Sequence, residues 1–131
     1  MFAFFTAGQG AVLCLTNALF AKLYMTVFWR FKIALSKDKK TLKDIRDSSA
    51  FKSASSYQLN EAEWAPLFVS ALLFAHSHDM QVDQAATLAV VGSLWFFWGG
   101  VMFGFPFHVP GATMRYAALA LLAHALFQKL M

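Results

Sequence analysis

Charge is scarce in this chain. Only 14% of its 131 residues are Asp, Glu, Lys or Arg, where soluble globular domains carry roughly a quarter. Cys14 is the one cysteine, which excludes an internal disulfide and any paired-cysteine metal motif. Internal repeats and low-complexity tracts are absent, and so are a Gly-rich phosphate loop, a Ser-centred nucleophile elbow and an HExxH metal motif. No domain boundary shows either, so residues 1–131 read as one domain. In place of these come 59% hydrophobic residues, with 15 Phe, 4 Trp and 6 Met. That content excludes disorder and exceeds what the interior of so small a soluble domain can hide. Composition therefore predicts a bilayer as the solvent, with lipid as the first partner.

The few charges are unevenly placed. Of the 11 Lys and Arg residues, Arg30, Lys32, Lys37, Lys39, Lys40, Lys43, Arg46 and Lys52 fall within residues 30–52. The net charge of +4 is thus a topology signal, and no nucleic-acid partner is expected. Before that stretch Lys22 is the one charge, and a helix of about 20 apolar residues suffices to cross the hydrocarbon layer. The pattern predicts an all-α integral membrane protein, a four-helix bundle with spans over residues 7–29, 61–79, 84–105 and 110–129. The basic segment reads as a loop with a short amphipathic helix, KKTLKDIRDSSAF. From Ser53 to His78 no turn signal intervenes, so one long helix is expected there, kinked at Pro66. Pro106 and Pro110, with Gly104 and Gly111 beside them, divide the charge-free run 84–114 into two helices. The positive-inside rule puts the 30–52 loop on the cytosolic side of an endomembrane or organelle membrane. The first residues lack the basic start and small-residue cleavage site of a signal peptide, so cleavage is not expected.

Candidate chemistry is confined to a few residues. His76 and His78, two apart, face opposite sides of a helix or serve a polar turn beside Asp79, and no metal site is expected from them. Asn17 and His124 lie in otherwise apolar helices, where such residues hydrogen-bond to a neighbouring helix. Small residues in SALLFA, WGGVMFG and YAALALLAHA allow close backbone approach, either between copies or within one chain. The informative stretch is Tyr57-Gln58-Leu59-Asn60-Glu61-Ala62-Glu63-Trp64-Ala65-Pro66-Leu67-Phe68. Asn60 and Glu63 share a helix face, where an amide and a carboxylate suit an amine, a peptide backbone or an arginine. The plainer alternative is a solvated Glu63 at headgroup level with Trp64 as an interfacial anchor.

The pattern Gln58-x-Asn60-x-x-Glu63-Trp64-x-Pro66-Leu67-Phe68 after a basic loop resembles the MAPEG superfamily, the membrane-associated proteins in eicosanoid and glutathione metabolism. Lys22-Leu23-Tyr24, the TVFWRFK segment from Thr26 to Lys32 and the Pro110 to Arg115 start of the last helix match as well, so the resemblance covers nearly the whole chain. It implies a homotrimer of four-helix subunits with glutathione as cofactor between neighbours near the cytosolic face. Gln58, Asn60 and Glu63 match glutathione-binding positions, Glu63 meeting the amino group. Trp64 stands where an aromatic flanks the pocket, and Arg30 or Lys32 stands where a glutathione carboxylate can be met. Arg115 is the candidate catalytic residue, the cation that stabilises the thiolate.

The chain also departs from the family pattern. Ser56 occupies the place of an Arg in active members, Phe96-Phe97-Trp98-Gly99-Gly100 replaces a Tyr-rich turn, and Ala112 aligns with the activating Arg. Two functions follow from the resemblance. One is a membrane glutathione transferase or peroxidase acting on apolar electrophiles or lipid hydroperoxides. The other is a non-enzymatic accessory or structural subunit of a larger membrane complex, with neighbouring membrane subunits as partners. A channel or transporter finds little support, because no intramembrane charge pair or half-helix repeat is evident.

Overall fold

The computed structural model describes residues 3–131, and among them every regular element is helical. Five helices succeed one another: α1 Ala7–Ala34, α2 Lys39–Asp47, α3 Ser49–Ser77, α4 Asp83–Phe103 and α5 Val109–Leu130. Local signals set their starts. Thr6 and Gln9 form a reciprocal capping box at α1, and the side chains of Asp38 and Ser48 cap α2 and α3. Pro110 lies in the first turn of α5, where its missing N–H breaks no helical bond. Gly104 ends α4 at φ 75°, a conformation that a side chain would strain.

Helix α1 continues to Ala34, so the basic segment is helical at both ends, with α2 between. Helix α3 starts at Ser49, four residues before the Ser53 expected from sequence, and runs through Pro66 as one element. Ser70 Oγ donates to the Pro66 carbonyl at 2.6 Å. By length and composition, α1 and α4 are apolar enough to cross a membrane, each with a mean hydropathy of 1.6.

The four long helices pack through small residues. Ala7, Ala11 and Cys14 of α1, Phe68, Leu72 and Ala75 of α3, Ala85, Ala86 and Ala89 of α4, and Ala118 and Leu122 of α5 form one buried cluster. Helix α5 crosses α4 at Gly111 and Gly92: a Cβ on Gly111 would strike the Phe96 amide and, at 2.8 Å, the Gly92 carbonyl oxygen. A second cluster of Met25, Trp29 and Ala54, flanked by Ile45 and Phe51, joins α2 to the near ends of α1 and α3. The backbone amides of Phe4 and Phe5 bond Thr87 Oγ1 at 2.9 and 3.1 Å, fastening the start of the chain to α4.

Both α1 and α4 contain a widened π-helical turn, Met25–Arg30 and Trp95–Gly99. Such turns insert an extra residue into the helical repeat. In α4 the wide turn leaves Phe96 and Phe97 buried in succession, with Trp98 half-buried beside them.

Candidate functional site: a sealed ion pair beside an open polar cleft

Each long helix contributes polar side chains to one buried cluster. Glu61 on α3 is 0% exposed and Arg115 on α5 is 1% exposed, with Arg115 Nη2 3.3 Å from Glu61 Oε2. Arg115 Nη1 also donates to Asn60 Oδ1 at 2.9 Å. Glu61 Oε1 accepts from Asn17 Nδ2 at 3.0 Å, and Asn17 Oδ1 accepts from Trp98 Nε1 at 2.9 Å. The chain of contacts thus runs from Trp98 on α4 through Asn17 on α1 and Glu61 on α3 to Arg115 on α5. The guanidinium lies between two rings, 4.7 Å from the Trp64 centroid and 4.4 Å from that of Phe96. Buried charges persist only when paired and flanked in this way. The pairing is imperfect, since Arg115 Nε and Nη2 and Glu61 Oε2 lack an aligned hydrogen bond.

Across Asn60 and Phe96 lies a cleft of about 430 Å³ lined by Lys52, Ser53, Ser56, Tyr57, Asn60, Phe96 and His108. Its wall holds a cation, hydroxyls, an amide and an imidazole, and no carboxylate. Helix α3 supplies the first five of these residues from successive turns, α4 supplies Phe96 at its wide turn, and His108 precedes α5. Tyr57 Oη and His108 Nδ1 are 3.1 Å apart. Burial pushes the Tyr57 phenol up from its ordinary 10.0, so the hydroxyl keeps its proton at neutral pH. Gly100 makes room for this pair: a Cβ there would meet the Tyr57 ring at 2.6 Å.

Two larger grooves are apolar. One, of about 590 Å³, runs over Leu94, Trp95, Trp98 and Phe103, and the other, of about 660 Å³, over Phe5, Val12, Leu13 and Leu73 with His76 at its side. The indole N–H groups of Trp95 and Trp98 bond Phe107 O and Asn17 Oδ1, so neither is free to bond a ligand in the first groove.

The residues singled out by sequence are distributed as follows. Asn60 bridges the ion pair and the cleft, and Trp64 covers Arg115 and meets the Tyr116 ring edge-on at 4.9 Å. Gln58 is half-buried and Glu63 exposed, and neither lines the cleft. Arg30 and Lys32 are exposed near the end of α1, Lys32 lying 5.7 Å from the Trp29 ring. Ser56 lines the cleft, Ala112 is half-buried, and Arg115 faces inward to Glu61. Asn17 makes the inter-helix bonds expected of it, whereas His124 sits on the exposed side of α5. His78 stacks on Phe74 at 4.0 Å and closes the end of α3. Among the described residues no group of three or more His, Cys, Asp or Glu is placed to hold a metal ion.

Sequence reading passed over Glu61 and His108, and it assigned no site role to Lys52, Ser53 or Tyr57. Glu61 was detectable from its spacing: Ala54, Glu61, Ala65, Phe68, Leu72 and Ala75 form the buried stripe of α3, with a seven-residue step and then the four- and three-residue steps of one helix face. No comparable signal marks His108, whose position depends on the turn after Gly104. Comparison with protein-family models, curated proteins and solved structures finds no match to this chain.

Proposed function

We propose that this chain is a MAPEG-like membrane glutathione transferase or peroxidase that binds glutathione in the cleft around Asn60 and adds its sulfur to apolar electrophiles or uses it to reduce lipid hydroperoxides. The observation that carries the reading is the position of Asn60, a residue of the glutathione-binding pattern, in a cleft that presents Lys52, Ser53 and Ser56 and no carboxylate. A tripeptide with two carboxylates suits such a wall through charge-assisted hydrogen bonds. Membrane placement is supported by α1 and α4 and by the exposed apolar side chains of α1, where Val12, Leu15, Leu19, Phe20 and Val27 are each more than half exposed. On this reading the basic residues 30–52 face the cytosol, and the cleft, which Lys52 lines, would open on the same side. In a homotrimer the exposed Glu63 and half-buried Gln58 would face a neighbouring copy, which is where the resemblance locates the rest of the cradle.

Titration calorimetry of the detergent-purified protein with glutathione tests the reading, followed by turnover with a halogenated nitroaromatic and with a lipid hydroperoxide. Saturable heat that weakens in Lys52→Ala, together with turnover of either compound, is the expected result. Absence of both binding and turnover overturns it.

The non-enzymatic accessory subunit is the second reading. It is favoured by Arg115, whose guanidinium is enclosed by Glu61, Asn60, Trp64 and Phe96 rather than turned to a ligand. Co-purification with other membrane subunits, in the absence of glutathione binding, distinguishes the two.

A further inference from the structure

With Arg115 engaged in the ion pair, the cleft needs another group to handle the thiol proton, and the geometry points to His108. We infer that His108, oriented by Tyr57, accepts the proton of a thiol bound in the cleft, which makes it a catalytic residue and Tyr57 a positioning residue. The inference rests on the glutathione reading above and adds the group that generates the nucleophile.

Three observations carry it. His108 lines the cleft together with Ser53, Ser56 and Lys52, so its imidazole borders the space a ligand would occupy. Its Nδ1 is fixed by the 3.1 Å contact with Tyr57 Oη. When the Nδ1–H donates to that oxygen, Nε2 carries the free lone pair, as in hydrogen-bonded imidazoles generally. Finally, the imidazole is ringed by Tyr57, Phe96 and Phe105, with centroids 5.4, 5.4 and 5.2 Å away. Packing against these three rings holds the imidazole in one orientation at the cleft wall.

The step balances. The S–H bond breaks, its proton bonds to Nε2, and the electron pair remains on sulfur as the thiolate. With a halogenated nitroaromatic, the thiolate forms the new S–C bond, halide leaves with its bonding electrons, and the imidazolium returns its proton to water. The charged or titratable side chains that share the cleft with His108 are Tyr57 and Lys52 on α3, and α4 contributes Phe96 alone. The Glu61–Arg115 pair stands behind Phe96. Lys52 favours the thiolate without accepting its proton.

The experiment compares the whole protein with His108→Gln, His108→Ala and Tyr57→Phe in detergent. It measures glutathione binding by calorimetry, the bound thiolate by its ultraviolet absorbance, and turnover of the nitroaromatic across pH. The expected result is that His108→Gln binds glutathione within about twofold of the parent but loses thiolate absorbance, and that turnover falls on the order of a hundredfold, as for loss of a general base. Added imidazole restores turnover to His108→Ala, which a purely structural role would not permit. Tyr57→Phe moves the pH profile and leaves binding in place. Normal thiolate and turnover in His108→Gln, with glutathione still bound, overturn the inference and leave the binding reading intact. Failure of the parent protein to bind glutathione overturns both.

Discussion

Helix α3 carries two polar regions back to back, and they differ in almost every physical respect. The Glu61–Arg115 cluster is sealed, draws on four helices and is covered by Trp64 and Phe96. The cleft is open, carries Lys52, which has no ion-pair partner among the described residues, and holds a hydroxyl–imidazole pair at its wall. Asn60 belongs to both. A sealed cluster of paired charges is costly to break, which suits it to holding helices together. An open cleft tolerates substitution and suits it to binding.

Substitutions should separate the two regions clearly. The largest effect is expected inside the cluster: Arg115→Met leaves a carboxylate buried without its cation, at a cost of about 3–5 kcal/mol. Thermal unfolding in detergent reads this directly, and the double variant Glu61→Gln/Arg115→Met should recover part of the loss. If Arg115→Met unfolds at the parental temperature, the cluster is not what joins the helices. Next comes Gly111→Ala, whose methyl group would meet the backbone of α4; overpacking of this kind costs about 1–3 kcal/mol, read by the same melt. Trp98→Phe removes the bond to Asn17 and should cost about 1 kcal/mol, and an unchanged melting temperature would remove that tryptophan from the network. The smallest effects lie outside the cluster, at Lys52 in the cleft and at the exposed Glu63. Lys52→Ala and Glu63→Gln should each change stability by less than about 0.5 kcal/mol, while Lys52→Ala alone weakens anionic ligands. A large destabilisation by Lys52→Ala would erase the distinction between the regions.

The long helices were legible in the sequence because prolines and charge-free runs mark them plainly. Helix phase was less legible. The stretch from Trp64 to Ala75 is apolar on nearly all sides, Leu67 and Leu73 being half exposed while Phe68 and Leu72 are buried, so hydrophobicity does not tell inside from outside. Spacing helps in part: Ala54, Ala65 and Ala75 lie on the buried line on which Glu61 falls, whereas Ala62 and Glu63 are exposed. The same logic applies to α1 and α5, where Asn17 and Arg115 each lie on a buried stripe with small neighbours such as Ala21 and Ala118. The spacing of three between Asn60 and Glu63 drew attention to an acid that is exposed, while the buried acid is its neighbour Glu61. The cleft was legible only through Asn60 and Ser56, because its opposite wall comes from residues about 50 positions away, as the separation of 51 between Tyr57 and His108 illustrates.

The ion pair also imposes an order on biogenesis. Arg115 lies 38 positions beyond Ser77, the last residue of the acidic helix (115 − 77), so at ribosomal speeds of about 5–20 residues per second that helix is complete roughly 2–8 s before its arginine is polymerised. During that interval the nascent carboxylate must stay hydrated, accept a proton or be shielded by another protein. Release from that interim state comes only with the last helix, which makes its arrival the committing event of maturation.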